Sequence, residues 1–162
     1  MLDPTKPNRD LQLLSPWVKQ RVDVALRMMS DMGIKMAVFE GYRSPQRCDW
    51  LYEQGRSRPG NIVTKAKAWQ SWHCFSTAVD LVFFDGKAWD WKKASDFARP
   101  VIVMKQLGFT AGADWADYPH FQIDAGFSTA EAKAIVDQWG MPALWAQIKD
   151  RVEAREKKKP VG

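Results

Sequence analysis

Apolar residues recur along this chain with two different periods, and the alternation between them outlines the fold. Val18, Val22, Ala25, Leu26 and Met29 stand three and four residues apart and make one apolar face of a helix. Ser15 followed by Pro16 supplies its start, and Gly33 its stop. The compact run at 34–39, bounded by Gly33 and by Glu40-Gly41, reads as a strand. A helix is predicted over 45–54, a loop carrying Arg56 and Arg58 over 55–60, and a brief strand over 61–64. Residues 78–84 form a second apolar strand with one charge in it, Asp80, and Asp85-Gly86 is a turn that hands the chain to a returning edge at 87–91. From Lys92 to about Leu107, Phe97, Val101, Met104 and Leu107 share a helical face and Gly108 is placed to end it, with Pro100 making the first turn irregular. Ser128-Thr129-Ala130-Glu131 is a capping box for a helix through Trp139. A last helix runs from Met141 to about Glu153, and 154–162 reads as a frayed basic tail. This mixture predicts an α+β domain: a small antiparallel sheet flanked by helices.

Composition adds limits. At 162 residues and 46% hydrophobic content, the chain suits a single globular domain spanning 1–162. Lys and Arg exceed Asp and Glu by 24 to 19, a net charge of +5. That balance favours anionic partners such as nucleic acid, acidic membranes or the anionic polymers of a bacterial wall, and the basic tail is a candidate tether to the last two. No RNA-binding signature, zinc-finger cysteine pairs or long basic tract interleaved with aromatics is present, so nucleic acid is not expected. Cys48 and Cys74 match neither a disulfide framework nor a Cys-x-x-Cys knuckle and read as free thiols. No run of about 18 apolar residues exists to span a membrane, and the amino terminus lacks the apolar core of a signal peptide. The expectation is a monomer held in the cytoplasm. Most of the nine tryptophans are packing residues; Trp72 and Trp115 are candidates to stack on a sugar or wall a peptide cleft.

The chemistry concentrates in two stretches, 71–80 and 117–120, which hold both histidines. Two neutral imidazoles and a carboxylate can hold a divalent ion and leave a position open for water, as a catalytic zinc requires. His73, Asp80 and His120 form such a set. His73 and Asp80 are too far apart for one helical turn, so they must converge through a loop followed by the strand at 78–84. A carboxylate inside that apolar run is costly to bury without a cationic partner. Spacing alone leaves the other reading open, in which either histidine is a hydrogen-bonded core residue.

The neighbours of these residues make the pattern specific. Gly41-Tyr42-Arg43-Ser44, Leu51-Tyr52-Glu53-Gln54-Gly55-Arg56, Pro59-Gly60, Ile62-Val63-Thr64, Ser71-x-His73-x6-Asp80 and Asp117-x-x-His120-Phe121 resemble the VanY-type zinc peptidases of the M15 class. Within that class they are similar to the L-alanyl-D-glutamate peptidases used as phage endolysins. The matches span about 10–125, in order, and leave 128–153 to C-terminal helices. The resemblance implies a hedgehog/D-Ala-D-Ala peptidase-like fold, a Zn2+ held by His73, Asp80 and His120, Asp117 as the catalytic carboxylate, and Arg43 and Ser71 as substrate-binding residues. Asp114 competes for the catalytic role from a weaker position in the motif. The substrate implied is bacterial peptidoglycan, cut at the L-Ala–D-Glu bond, with release to the wall through a separate membrane pore. The alternatives are a D-Ala-D-Ala carboxypeptidase or dipeptidase on the same scaffold, or a non-catalytic wall-binding module that keeps its zinc. Two departures stand out: Ser76, and the pair Trp69-Gln70, occupy positions where the family usually has Gly. A Cβ restricts positive φ, so a loop that follows the family's path here would hold side chains in a conformation that favours Gly.

Overall fold

The computed structural model describes residues 1–159. Among these, five α-helices and five strands follow one another as α1 (Pro16–Asp31), β1 (Met36–Glu40), α2 (Pro45–Glu53), β2 (Ala78–Phe84), β3 (Trp89–Asp90), α3 (Ala98–Gln106), β4 (Thr110–Ala111), β5 (His120–Gln122), α4 (Thr129–Trp139) and α5 (Met141–Lys157). All strand pairs are antiparallel, in the order β1-β2-β5-β4, with β3 also on β2. The expected α+β architecture is the one present. In α1 the buried residues are Val18, Val22, Ala25 and Met29, the face that the apolar period marks. They join Leu81, Phe75, Phe121, Met104 and Ile148 in one continuous core. Each large side chain buried there contributes roughly 1.5–3 kcal/mol by leaving water.

The central strand β2 carries Asp80 between two neighbours. Asp80 faces Glu40 of β1 on one side and His120 of β5 on the other. A bulge between Val38 and Glu40 makes this possible. In unbroken register Phe39 would oppose Asp80, and Glu40 would point to the other face, because side chains alternate along a strand. One inserted residue therefore brings a second carboxylate to the face that carries the histidines.

Helix α5 ties the His73 turn and α1 together. The indole N–H of Trp145 in α5 donates to the Phe75 carbonyl at 2.8 Å, holding the turn that contains His73. Arg21 of α1 pairs with Glu156 through Nη1 and Nη2, at 2.8 and 3.0 Å, and donates from Nη1 to the Leu107 carbonyl at 2.7 Å. Helix α5 therefore continues to Lys157 rather than stopping near Glu153, so the first residues of the expected tail are helical; residues 160–162 lie outside the described residues. The capping box of α4 forms as expected, Ser128 and Glu131 each bonding the other's backbone N–H.

Two expectations are corrected. Residues 61–64 form no strand; that segment runs without regular structure along the cleft described below. The helix drawn from Lys92 begins instead as a 3₁₀ turn at Ala94–Phe97 and becomes α-helical only at Ala98. Pro100 then sits in the first turn, where the missing N–H costs no hydrogen bond.

Candidate metal centre and its cleft

His73 enters the site from a 3₁₀ turn, Trp72–Phe75, whose cap is Ser71. Asp80 and His120 arrive from paired strands. His73 Nε2 lies 3.2 Å from Asp80 Oδ1 and 3.2 Å from His120 Nδ1, and His120 Nδ1 is 3.4 Å from Asp80 Oδ1. Ligands about 2.0–2.1 Å from a tetrahedral zinc stand about 3.3–3.4 Å from one another, so this triangle has the size that such an ion needs. The remaining ring nitrogens are engaged elsewhere: His73 Nδ1 is 2.7 Å from the Gly41 carbonyl, and His120 Nε2 is 2.8 Å from Gln122 Oε1. A carbonyl oxygen only accepts, so His73 carries its proton on Nδ1 and turns the Nε2 lone pair to the centre.

The surrounding charges favour an ionised Asp80. Burial opposes it, but the two imidazoles, which attract and donate to it whenever they are protonated, and the guanidinium of Arg43 hold the carboxyl well below the usual range. Burial lowers His73, which stays neutral more readily than a free imidazole. His120 moves up: burial opposes its charge, and the hydrogen bond and negative charge of Asp80 outweigh that. Behind Asp80 lies a buried ionic network. Arg43 Nη2 donates to Glu40 Oε2 at 2.8 Å and to Asp80 Oδ2 at 3.2 Å, and Arg47 Nε donates to Glu40 Oε1 at 2.8 Å.

These groups open into a cleft of about 780 Å³. Arg43, Ser71, His73, Asp80, Asp117 and His120 all line it, so the six residues expected to form the site converge here. Asp117 lies outside β5, in the turn before it, where the His120 N–H donates to the Asp117 carbonyl at 3.1 Å. Gly112 makes room for that turn: a Cβ there would collide with the Asp117 carbonyl oxygen and sit 2.9 Å from His120 Cβ. Partial desolvation by the cleft wall and the negative charge of Asp80 push the Asp117 carboxyl up. Asp114 instead pairs with Lys105 at 2.9 Å. Of the two aromatic candidates, Trp72 is 7% exposed and packs against Phe75, whereas Trp115 is 51% exposed at the rim. Cys74, next to His73, turns away from the cleft and meets Cys48 sulfur to sulfur at 2.8 Å, both as free thiols.

The two non-glycine residues take the backbone conformation expected of glycine. Trp69 has φ 63° and Ser76 has φ 61° with ψ 26°, so both adopt the left-handed conformation for which glycine is usual. Ser76 is buried, its carbonyl accepts the Ser15 N–H at 2.9 Å and its N–H bonds the His73 carbonyl at 3.2 Å. Sequence reasoning did not single out Glu40, Arg47, Gln122 or Asp124. The signal for Glu40 was the same as for Asp80, a carboxylate in an otherwise apolar strand; for Gln122 it was the two-residue spacing from His120.

A family model described as D-alanyl-D-alanine carboxypeptidase, of the M15 peptidases, matches residues 64–123, the segment that contains the ligand triangle and Asp117. The peptidoglycan L-alanyl-D-glutamate endopeptidase CwlK of Bacillus subtilis (strain 168) is 38% identical over 122 residues, which are 68% of this chain and 73% of the relative. Among solved structures, the L-Ala D-Glu endopeptidase ChiX of Serratia marcescens superposes with a TM-score of 0.53 at 20% identity, covering 74% of this chain and 87% of that one, which is agreement in fold. With that identity, that coverage and the motif residues gathered in one cleft, the chain belongs to the M15 peptidase family.

Proposed function

We propose that this chain is a zinc-dependent peptidoglycan hydrolase that cleaves the L-Ala–D-Glu bond of stem peptides. In this reading His73, Asp80 and His120 hold the ion and Asp117 moves the proton. The observation that carries it is the triangle of ligand atoms, 3.2–3.4 Å on a side, facing a cleft with a carboxylate on its wall. The bond assigned is the one in the name of the B. subtilis relative. Zinc bound by this set supplies Lewis-acid polarisation of the scissile carbonyl and a lowered pKa for water.

The rest of the mechanism belongs to the protein's own groups. The Asp117 carboxylate takes a proton from the attacking water and returns it to the leaving amine. Its upward shift suits the second half of that task, because a carboxyl closer to neutral pH holds the proton better between the two transfers. Ser71 Oγ accepts the His73 N–H at 3.4 Å, leaving its own O–H to donate to a substrate oxygen. Arg43 adds a positioning role to the substrate contact expected of it: its Nη2 donates to Glu40 and Asp80 and keeps the Asp80 carboxylate oriented, while the side chain also lines the cleft. Peptidoglycan stems would lie along the cleft between the 62–66 segment and Trp115.

A second reading, carboxypeptidase action on a D-Ala-D-Ala end, is favoured by the description of the matching family model and needs no change in the ligand set. Digestion of purified peptidoglycan by zinc-loaded protein, with mass spectrometry of the products, separates the two. New L-Ala carboxyl and D-Glu amino ends, absent with Asp117→Ala, support the endopeptidase. Release of terminal D-Ala selects the carboxypeptidase. No cleavage by folded, zinc-bound protein overturns both and leaves a wall-binding module.

A further inference from the structure

We infer that Gln122 and Asp124 are positioning residues that set the tautomer of His120 and so keep its Nδ1 open toward the metal site. The inference rests on the ligand set proposed above. Strand β5 places His120 and Gln122 two residues apart, hence on one face, and Asp124 follows at the same interval. His120 Nε2 is 2.8 Å from Gln122 Oε1, Gln122 Nε2 donates to Asp124 Oδ2 at 2.7 Å, and the Gly126 N–H donates to Asp124 Oδ1 at 2.8 Å.

The direction of this chain follows from what each group can offer. A carboxylate has only acceptors, so Asp124 requires the NH2 of Gln122. The amide cannot then turn, and its oxygen must face His120. That oxygen in turn requires an N–H at His120 Nε2, which leaves the lone pair on Nδ1, the nitrogen 3.2 Å from His73 Nε2 and 3.4 Å from Asp80 Oδ1. Without the relay, a neutral His120 would gain by placing its proton on Nδ1 and donating it to Asp80. That His–Asp hydrogen bond would close the ligand position and occupy the carboxylate oxygen as well. The Gly41 carbonyl plays the same part for His73, at 2.7 Å, but it is backbone and no substitution removes it. Gln122 and Asp124 are the side-chain half of the arrangement.

The test is zinc affinity of the full chain, measured by competition with a chromophoric chelator, beside the melting temperature of the metal-free protein. Gln122→Leu, which removes the acceptor, is expected to bind zinc about 10–100-fold more weakly, the double variant Gln122→Glu with Asp124→Asn, which keeps the acceptor at His120 and returns an NH2 donor to it from position 124, to stay within about threefold of wild type, and Asp124→Ala, which frees the amide to turn, to lie between them. Wild-type affinity in Gln122→Leu, or a loss in the double variant as large as that of Gln122→Leu, overturns the inference. If Gln122→Leu does not fold, the ring nitrogens of wild-type His120 decide by NMR in metal-free protein at alkaline pH. A proton on Nε2 with Nδ1 bare is the expected spectrum, and the reverse refutes the relay. A wild-type protein that binds no zinc sinks the functional reading, while the NMR experiment still decides the tautomer.

Discussion

Glu40→Ala should be among the most damaging single substitutions outside the proposed metal ligands, although Glu40 does not line the cleft. Its carboxylate is 3% exposed and receives Arg43 Nη2 and Arg47 Nε, each at 2.8 Å. The two arginine side chains are themselves 11% and 9% exposed. Removing one partner of a buried ion pair costs about 3–5 kcal/mol, because the surviving charge stays desolvated. Here two charges survive, but each keeps a contact: Arg43 to Asp80 at 3.2 Å and Arg47 to the Pro4 carbonyl at 3.2 Å. Arg43 Nε, already buried without a partner, gains none. The lower end, about 3 kcal/mol, is therefore the expected loss. At about 2–4 °C per kcal/mol for a domain of this size, the melting temperature of the metal-free protein should fall by roughly 6–12 °C. Glu40→Gln, which keeps one acceptor and the shape, should fall about half as far. The assay is thermal unfolding followed by circular dichroism, at low and high salt, since a buried pair is screened less than a surface one. A Glu40→Ala protein that melts within about 2 °C of wild type would refute the claim that this network is a buried, mutually dependent set of charges.

Further outcomes are expected at Asp117, at the two cysteines and at Ser76. Asp117→Asn should retain zinc and lose turnover by about 10²–10⁴-fold; near-normal lysis of peptidoglycan would remove Asp117 from the mechanism. The same substitution should raise the melting temperature of metal-free protein at pH 7. A carboxyl whose folded pKa is raised binds more protons folded than unfolded, so its contribution falls as pH rises through that window, and the gain should vanish below the unfolded value of about 3.9. An equal gain at pH 3 and pH 7 would contradict this. Cys48 and Cys74, 1% and 0% exposed, should show no reactive thiol toward a charged disulfide reagent in the native state and two after denaturation; rapid native labelling would contradict their burial. At Ser76, replacement by Gly relieves about 1–2 kcal/mol of left-handed strain and loosens the unfolded chain by about 0.5–1 kcal/mol, so stability should rise by about 0–1.5 kcal/mol and zinc affinity stay unchanged. Ser76→Val should destabilise, and a Val variant as stable as wild type would mean that the turn does not need its conformation.

What could be read from the sequence was local. The face of α1, the full extent of β2 and the capping box of α4 were legible because each depends on residues a few positions apart and on the periods of one helix or strand. The brief strand expected at 61–64 failed for the complementary reason. Its β-branched residues suit a strand, but no neighbouring edge is there to pair with them, and Ile62 and Val63 stand more than half exposed beside the cleft. The convergence of His73, Asp80 and His120 was legible only through the motif, since nothing local brings residues 40 apart together. The supporting residues were not legible, because which side chain lies opposite Asp80 depends on strand register and on a bulge at Phe39.

That bulge shows why the two acidic residues in apolar strands belong to one argument. Taken alone, Glu40 ending β1 and Asp80 inside β2 are each local conflicts, a charge where the core asks for none. Pairing the strands with one residue inserted sets both on the same face. A single guanidinium, Arg43, then reaches both from the turn just after β1, and Arg47 from the first turn of α2 holds the far oxygen of Glu40. Asp80 is left with one oxygen toward Arg43 and the other toward the two histidines. A carboxylate fixed in this way cannot rotate to leave the imidazoles without breaking a buried charge pair. The same contacts that make Asp80 tolerable in a hydrophobic strand therefore also aim it, and a substitution that relaxes the conflict, such as Asp80→Asn, removes the negative charge that a cation at this site requires.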